Sequence, residues 1–198
     1  MMKTPKSRPV AMLLAAVLAL GACADVGSTV NETPQLLSDM KLGHVVIVAK
    51  NAQKVPISRD ATPEEWQAAL GEAITERFGV IGGERLYHFG IHVDGYALAP
   101  PGVPLVVSPK SILVITANIW DNARGDQQLN AEGRQLTIFE GLSGETVIGS
   151  GLTRSREEQM RTLSRNAAKA IEDWLLENPQ WFDESAQPRV AVPAPPRN

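Results

Sequence analysis

The stretch RLYHFGIHVDGYALA, residues 85–99, sets Tyr87, Phe89, Ile91 and Val93 against His88, Gly90, His92 and Asp94. Successive side chains of an extended backbone point to opposite faces, so this period of two predicts a strand with one face in a core and one outside it. Such a strand needs neighbouring strands and a layer over its apolar face, which already excludes an all-helical chain. The same pattern decides a question of chemistry. On a helix His88 and His92 would aim at one metal ion; on a strand four residues separate them by ~13 Å, too far for a zinc held at ~2 Å from each nitrogen. A solvated or partner-facing sheet surface is therefore expected here and no metal site, with His92 and Asp94 placed to pair.

The remaining elements follow from periodicity and capping. HVVIVAK, His44 to Lys50, is short and β-branched and reads as a buried strand. Thr62, Pro63 and Glu65 combine a capping threonine, a first-turn proline and the glutamate of a capping box. Trp66, Leu70, Ile74 and Phe78 then mark one helical face, and Gly79 or the Gly82, Gly83 pair ends it. SILVITANIWD, Ser111 to Asp121, is apolar on both faces and reads as a central strand, and RQLTIFEGLSGETVIGSGL as two strand segments about a turn at Leu142 to Gly144. Ser155 and Glu158 open a second helix whose stripe is Met160, Leu163, Ala167, Ile171, Trp174 and Leu175, stopped by Asn178 and Pro179. Trp181 and Phe182 read as folding back onto the core, the alternative being an exposed partner anchor. The expected fold class is α+β: an antiparallel or mixed sheet of four to five strands with two helices packed on one face, in the order β-α-β-β-β(-β)-α.

The beginning of the chain carries a different signal. Lys3, Lys6 and Arg8 precede the uncharged run Val10 to Leu20, and Gly21 and Ala22 stand before Cys23, the single cysteine. This is the plan of a secretory signal peptide, and eleven apolar residues fall well short of the ~20 that span a bilayer. Leu20, Gly21, Ala22 and Cys23 resemble the lipobox of bacterial lipoproteins. That resemblance implies cleavage before Cys23 and a diacylglyceryl group on its sulfur, hence no free thiol and no disulfide. Ala24, standing where an aspartate would retain such a protein at the inner membrane, favours an outer-membrane address with the domain in the periplasm. The expected organisation is a signal peptide over 1–22, a lipidated and flexible tether over 23–40, one domain over 41–184 and a Pro-rich tail over 185–198. The first 22 residues hold three basic residues and no acid, so the remainder has 16 Lys plus Arg against 22 Asp plus Glu, a net charge of −6. An acidic surface disfavours nucleic acid as a partner.

The domain architecture resembles the small periplasmic α+β domain of several outer-membrane lipoproteins, of the curli-secretion, lipopolysaccharide-assembly and peptidoglycan-synthase-activator types. More closely, GYALAPPGVPLVVSPKSILVIT, WDNARG, FEGLSGETVIGSGLT and REEQMRTLSRNAAKAIEDWLLENPQWF are similar to an uncharacterised lipoprotein family of Gram-negative bacteria. That family implies a location and no activity. No phosphate loop, HExxH, CxxC or GxSxG spacing is present, and Glu64, Glu65, Glu157 and Glu158 sit in first turns of helices, where the helix dipole accounts for them. No catalytic residue, metal ligand or cofactor is expected.

The segment ALAPPGVPLVVSPKS, Ala97 to Ser111, combines four prolines with Leu105, Val106 and Val107. It reads either as a proline-blunted edge strand or as a stiff loop offering Pro101, Leu105 and Val106 to a partner. The expected function is a non-enzymatic protein-binding module in envelope assembly or export, bound to the membrane through Cys23 and to an unidentified envelope protein. The alternative is a carrier of an apolar molecule or lipid, against which the bulk of Trp66, Phe78, Trp120 and Trp174 argues by filling the core. Cys23→Ala is expected to abolish acylation and leave the signal peptide uncleaved. Labelling with a radioactive fatty acid and the mass of the mature chain measure this; normal processing and membrane retention of the variant would refute the lipobox.

Overall fold

The computed structural model describes residues 33–101, 111–141 and 154–183. Six strands form one mixed sheet: β1 (Met40–Val48), β2 (Gln53–Lys54), β3 (Arg85–Ala97), β4 (Ile112–Asp121), β5 (Gln127–Gln128) and β6 (Arg134–Phe139). The helices are α1 (Pro63–Phe78), between β2 and β3, and α2 (Arg156–Leu176), after β6. The fold is α+β as expected, and the two-residue strands β2 and β5 are ones that the pattern does not announce.

β3 and β4 are the central pair, antiparallel from Tyr87 opposite Asp121 to Ala97 opposite Ile112. β1 and β2 both run parallel to β3, and the chain makes the return through α1, the long crossover that parallel pairing demands. β5 and β6 pair antiparallel with β4. Tyr87, Phe89, Ile91 and Val93 point into the core with Leu113, Ile115, Ala117 and Ile119 of β4, all at most 1 % exposed. An irregularity between Val93 and Gly95 shifts the register by one, so Tyr96 also turns inward and donates its hydroxyl to the Ala61 carbonyl at 3.0 Å.

Both helices lie on that inner face and against each other. Each opens with the capping box the sequence announced: Thr62 with Glu65 for α1, Ser155 with Glu158 for α2. The α1 stripe Trp66, Leu70, Ile74 and Phe78 is fully buried, with the Phe78 ring 5.2 Å from that of Phe89. The α2 stripe is buried throughout, from Met160 to Leu175. Removing a side chain of this size from water contributes about 1.5–3 kcal/mol, so these two rows and the β3 row carry most of the stability. Trp181 and Phe182 do fold back, with ring centroids 5.2 Å from Trp174 and 5.3 Å from Tyr87.

Three expectations need correction. The first strand begins at Met40, four residues before His44, and is half-buried, not buried: Leu42, Val45 and Ile47 pack against the core, whereas Val46 is 58 % and Val48 43 % exposed because no described element covers the outer face. It is also an edge strand, paired among the described residues with β3 alone. Gln35–Leu37, expected within the tether, forms a 3-10 turn, and Leu37 is fully buried in the core. Trp120 is not a core residue: it shares its parity on β4 with Thr116 and Asn118 and lies on the opposite face. The second strand segment of residues 142–153 lies outside the described residues.

One end of the sheet is held by charge. Asp121 is fully buried and pairs with Arg85 and, at 3.1 Å, with Arg124, while its Oδ1 also accepts the Ala123 amide at 3.0 Å. Burial lowers the Arg85 pKa, but the hydrogen bond to Asp121 and the negative charge around it, that of Asp121 and Asp39 included, together outweigh it and hold the guanidinium above its usual value. Burial pushes the neighbouring Tyr87 phenol up to about 12. A buried charge that loses its partner is costly, so Asp121→Ala is expected to lower the unfolding free energy by about 3–5 kcal/mol in urea titrations. Replacing the whole group, Arg85→Met with Asp121→Leu and Arg124→Leu, should recover most of that loss, since packed apolar side chains leave no buried charge uncompensated.

Candidate functional site

The two faces of the sheet differ in what covers them. The inner face is sealed by α1 and α2, whereas the outer face carries no helix among the described residues. A shallow groove of about 370 Å³ runs across it, bounded by Val46 and Val48 of β1, His44 and His88 at one end, and Trp120.

Two glycines shape this groove. A Cβ at Gly90 would stand 2.8 Å from the Trp120 ring, so only glycine lets the indole lie down across β3. A Cβ at Gly43 would stand 2.4 Å from Nδ1 of His88. Gly43 falls within the register irregularity between Leu42 and Val45, and there the His44 amide donates to His88 Nδ1 at 2.8 Å. In that bond Nδ1 is the acceptor, so the neutral ring keeps its proton on Nε2, which faces Asp126 at 3.6 Å. The His44 and His88 rings stack at 5.0 Å and 18°. Asp126 is itself held in a left-handed conformation, φ 58°, after Gly125, and Asn122 donates to its carboxylate at 3.0 Å.

Beyond the groove, His92 donates through Nδ1 to Asp94 at 2.7 Å, the pairing that same-face placement predicted. Thr116 and Gln135 donate to the other oxygen of Asp94, at 2.7 and 3.3 Å. Burial would raise this carboxyl, yet the hydrogen bonds from Thr116, His92 and Gln135 hold it below the usual carboxylate range. The two histidines of the His88-x-x-x-His92 spacing thus engage different acids, and among the described residues no group of three His, Cys, Asp or Glu is arranged to hold a metal ion.

A second, charged cleft of about 260 Å³ lies between α1 and α2. Arg156 bridges to Glu65 at 2.5 Å and Arg165 to Glu76 at 3.2 Å, so these side chains tie the two helices together. The Arg156 hydrogen bond holds the Glu65 carboxyl below its usual range. Three of the four first-turn acids have structural partners: Glu65 and Glu158 close capping boxes and Glu157 meets Arg156.

Of the residues singled out from sequence, Pro101 is exposed where the chain leaves the sheet, following the buried Leu98 and Ala99. Leu105 and Val106 lie outside the described residues, as do Leu20, Gly21, Ala22, Cys23 and Ala24. The groove joins residues that the sequence reading treated apart. His88, Gly90 and His92 were assigned to the outer face, but Trp120 and the glycine at 43 were missed. The signal for Trp120 is parity: in ILVITANIWD the polar Thr116 and Asn118 share every second position with it.

No protein-family model matches the chain, and no curated protein matches it. Solved structures similar to it include a candidate lipoprotein from Caulobacter crescentus, at 11 % identity over 77 % of this chain and 96 % of that one, TM-score 0.37. A hypothetical protein from Chlamydia trachomatis is 8 % identical over 70 % and 99 % of the two chains, TM-score 0.39. A DUF330 protein from Xanthomonas campestris is 12 % identical over 77 % and 96 %, TM-score 0.34. Similarity at this level assigns neither a family nor an activity.

Gly90→Ala tests how the groove is built. It is expected to lift the Trp120 indole off the sheet, moving its NH resonance in NMR spectra, and to cost about 1–3 kcal/mol of stability as overpacking does. Gly82→Ala, where a Cβ meets nothing within 4 Å, should leave that resonance in place.

Proposed function

We propose that this chain is an envelope lipoprotein, anchored through Cys23 in the outer membrane with its domain in the periplasm. The domain acts as a non-enzymatic protein-binding module in envelope assembly or export. The observation that carries this reading is the outer sheet face. A sheet whose inner side is fully packed presents Val46, Val48 and Trp120 on its other side, beside stacked imidazoles, as apolar surface that no element of the described fold covers. Contiguous apolar surface on a soluble domain is characteristic of interaction sites, and a tryptophan lining it is the kind of residue on which binding energy concentrates.

The anchor supports the same reading. Each methylene of an acyl chain contributes ~0.8 kcal/mol of membrane affinity, so two chains hold the domain in place. A tethered domain meets its partners in a thin layer and needs only a modest patch to bind them. The carrier alternative requires an apolar cavity between helices and sheet, and that space is occupied by Trp66, Phe78, Phe89 and Leu163, each at most 1 % exposed.

Photo-crosslinking groups placed at Val46 and Val48 in whole cells are expected to capture one dominant envelope protein, and one at Glu72, on the charged helix cleft, none. Val46→Asp should abolish capture at position 48 while leaving the unfolding midpoint unchanged. Absence of any captured protein at both positions would sink the module reading.

A further inference from the structure

The groove on the outer face matches a segment of this same chain. We infer that residues 192–197, Val-Pro-Ala-Pro-Pro-Arg, dock in it and cover it until a partner displaces them. This rests on the reading of the outer face as a docking surface and adds what occupies it at rest.

Chemistry is the first argument. Pro193, Pro195 and Pro196 favour the polyproline II conformation, three residues per turn at ~3.1 Å each, which puts Pro193 and Pro196 on one edge ~9 Å apart. Segments of this kind dock in aromatic-lined grooves because proline rings stack on flat π-faces and little conformational entropy is lost. The groove offers the indole of Trp120, whose ring tip reaches over Gly90, and the stacked imidazoles of His44 and His88, with Val46 and Val48 as an apolar wall for Val192.

Charge is the second. Residues 185–198 carry Arg189 and Arg197 and no acid, in a chain that is otherwise acidic. Beside the groove stand Asp94 and Asp126, and Asp126, 66 % exposed next to His88, is open to a guanidinium arriving from solvent.

Reach is the third. Phe182 packs on Tyr87, so the chain leaves the domain where β3 begins, and the residue after Tyr87 is His88 at the end of the groove. From Asp183 to Val192 is nine residues, ~30 Å when extended, against the ~10 Å that separates packed layers. A linker this short keeps the segment at millimolar effective concentration, so even a weak intrinsic affinity fills the groove.

The chain has three histidines, and all three lie on the outer face, so imidazole NMR of the acylated full chain reads this surface alone. Pro193→Ala with Pro196→Ala is expected to shift the imidazole signals, and a synthetic peptide of residues 189–198 added to that variant to shift them back. A photo-crosslinker at Ala194 should map to peptides holding residues 44–48 or 118–120 of its own chain. Imidazole signals that ignore the double substitution, or crosslinks that join only differently isotope-labelled chains, overturn the inference. Capture of an envelope protein at Val46 is scored separately, so the tail can fail as occupant while the docking reading stands, and the reverse.

Discussion

Everything in this domain depends on burying one row of side chains. Tyr87, Phe89, Ile91 and Val93 project from one side of β3 and require cover along their whole length. β4 supplies the matching row beside them, α1 and α2 close over both, and Phe182 returns to seal the end at Tyr87. Because side chains of a strand alternate, sealing this row commits the intervening residues to the opposite side. His88, Gly90, His92 and Trp120 are on the outer face because their neighbours are in the core. The groove is thus the geometric complement of the hydrophobic core.

Much of the fold was legible because it is written in short-range chemistry. The two capping boxes, the helical stripes and the β3 alternation are local signals, and each reappears in the structure where the residues placed it. What escaped is non-local. The β-branched run of HVVIV suits a buried strand and an edge strand equally, and only the pairing order reveals that one side of it is bare. Leu37 in a polar stretch reads as tether because its partners are distant in sequence. The two-residue strands Gln53–Lys54 and Gln127–Gln128 exist only through their neighbours β3 and β4 and carry no pattern of their own.

The site shows the same division. Placing His88 and His92 outside and pairing His92 with Asp94 followed from the period of two alone. The groove itself needed three strands in register, since Gly43 on β1, Gly90 on β3 and Trp120 on β4 meet only across the sheet. A glycine that makes room for a ring forty-five or thirty residues away in the chain leaves no mark in a one-dimensional reading.

The irregularity at Gly43 and His44 has a consequence for how many copies can live side by side. Among the described residues β1 has one edge unpaired, and a long regular edge of valine and isoleucine would template the same edge of another molecule. The break between Leu42 and Val45 cuts that edge into two runs, and at the break the His44 amide donates to the His88 side chain in place of a backbone carbonyl of β3. A second copy of this chain approaching along β1 meets an interrupted edge and not a continuous one. The side-chain contact that fixes the orientation of one imidazole thus sits at the break in the edge that a second copy would pair with.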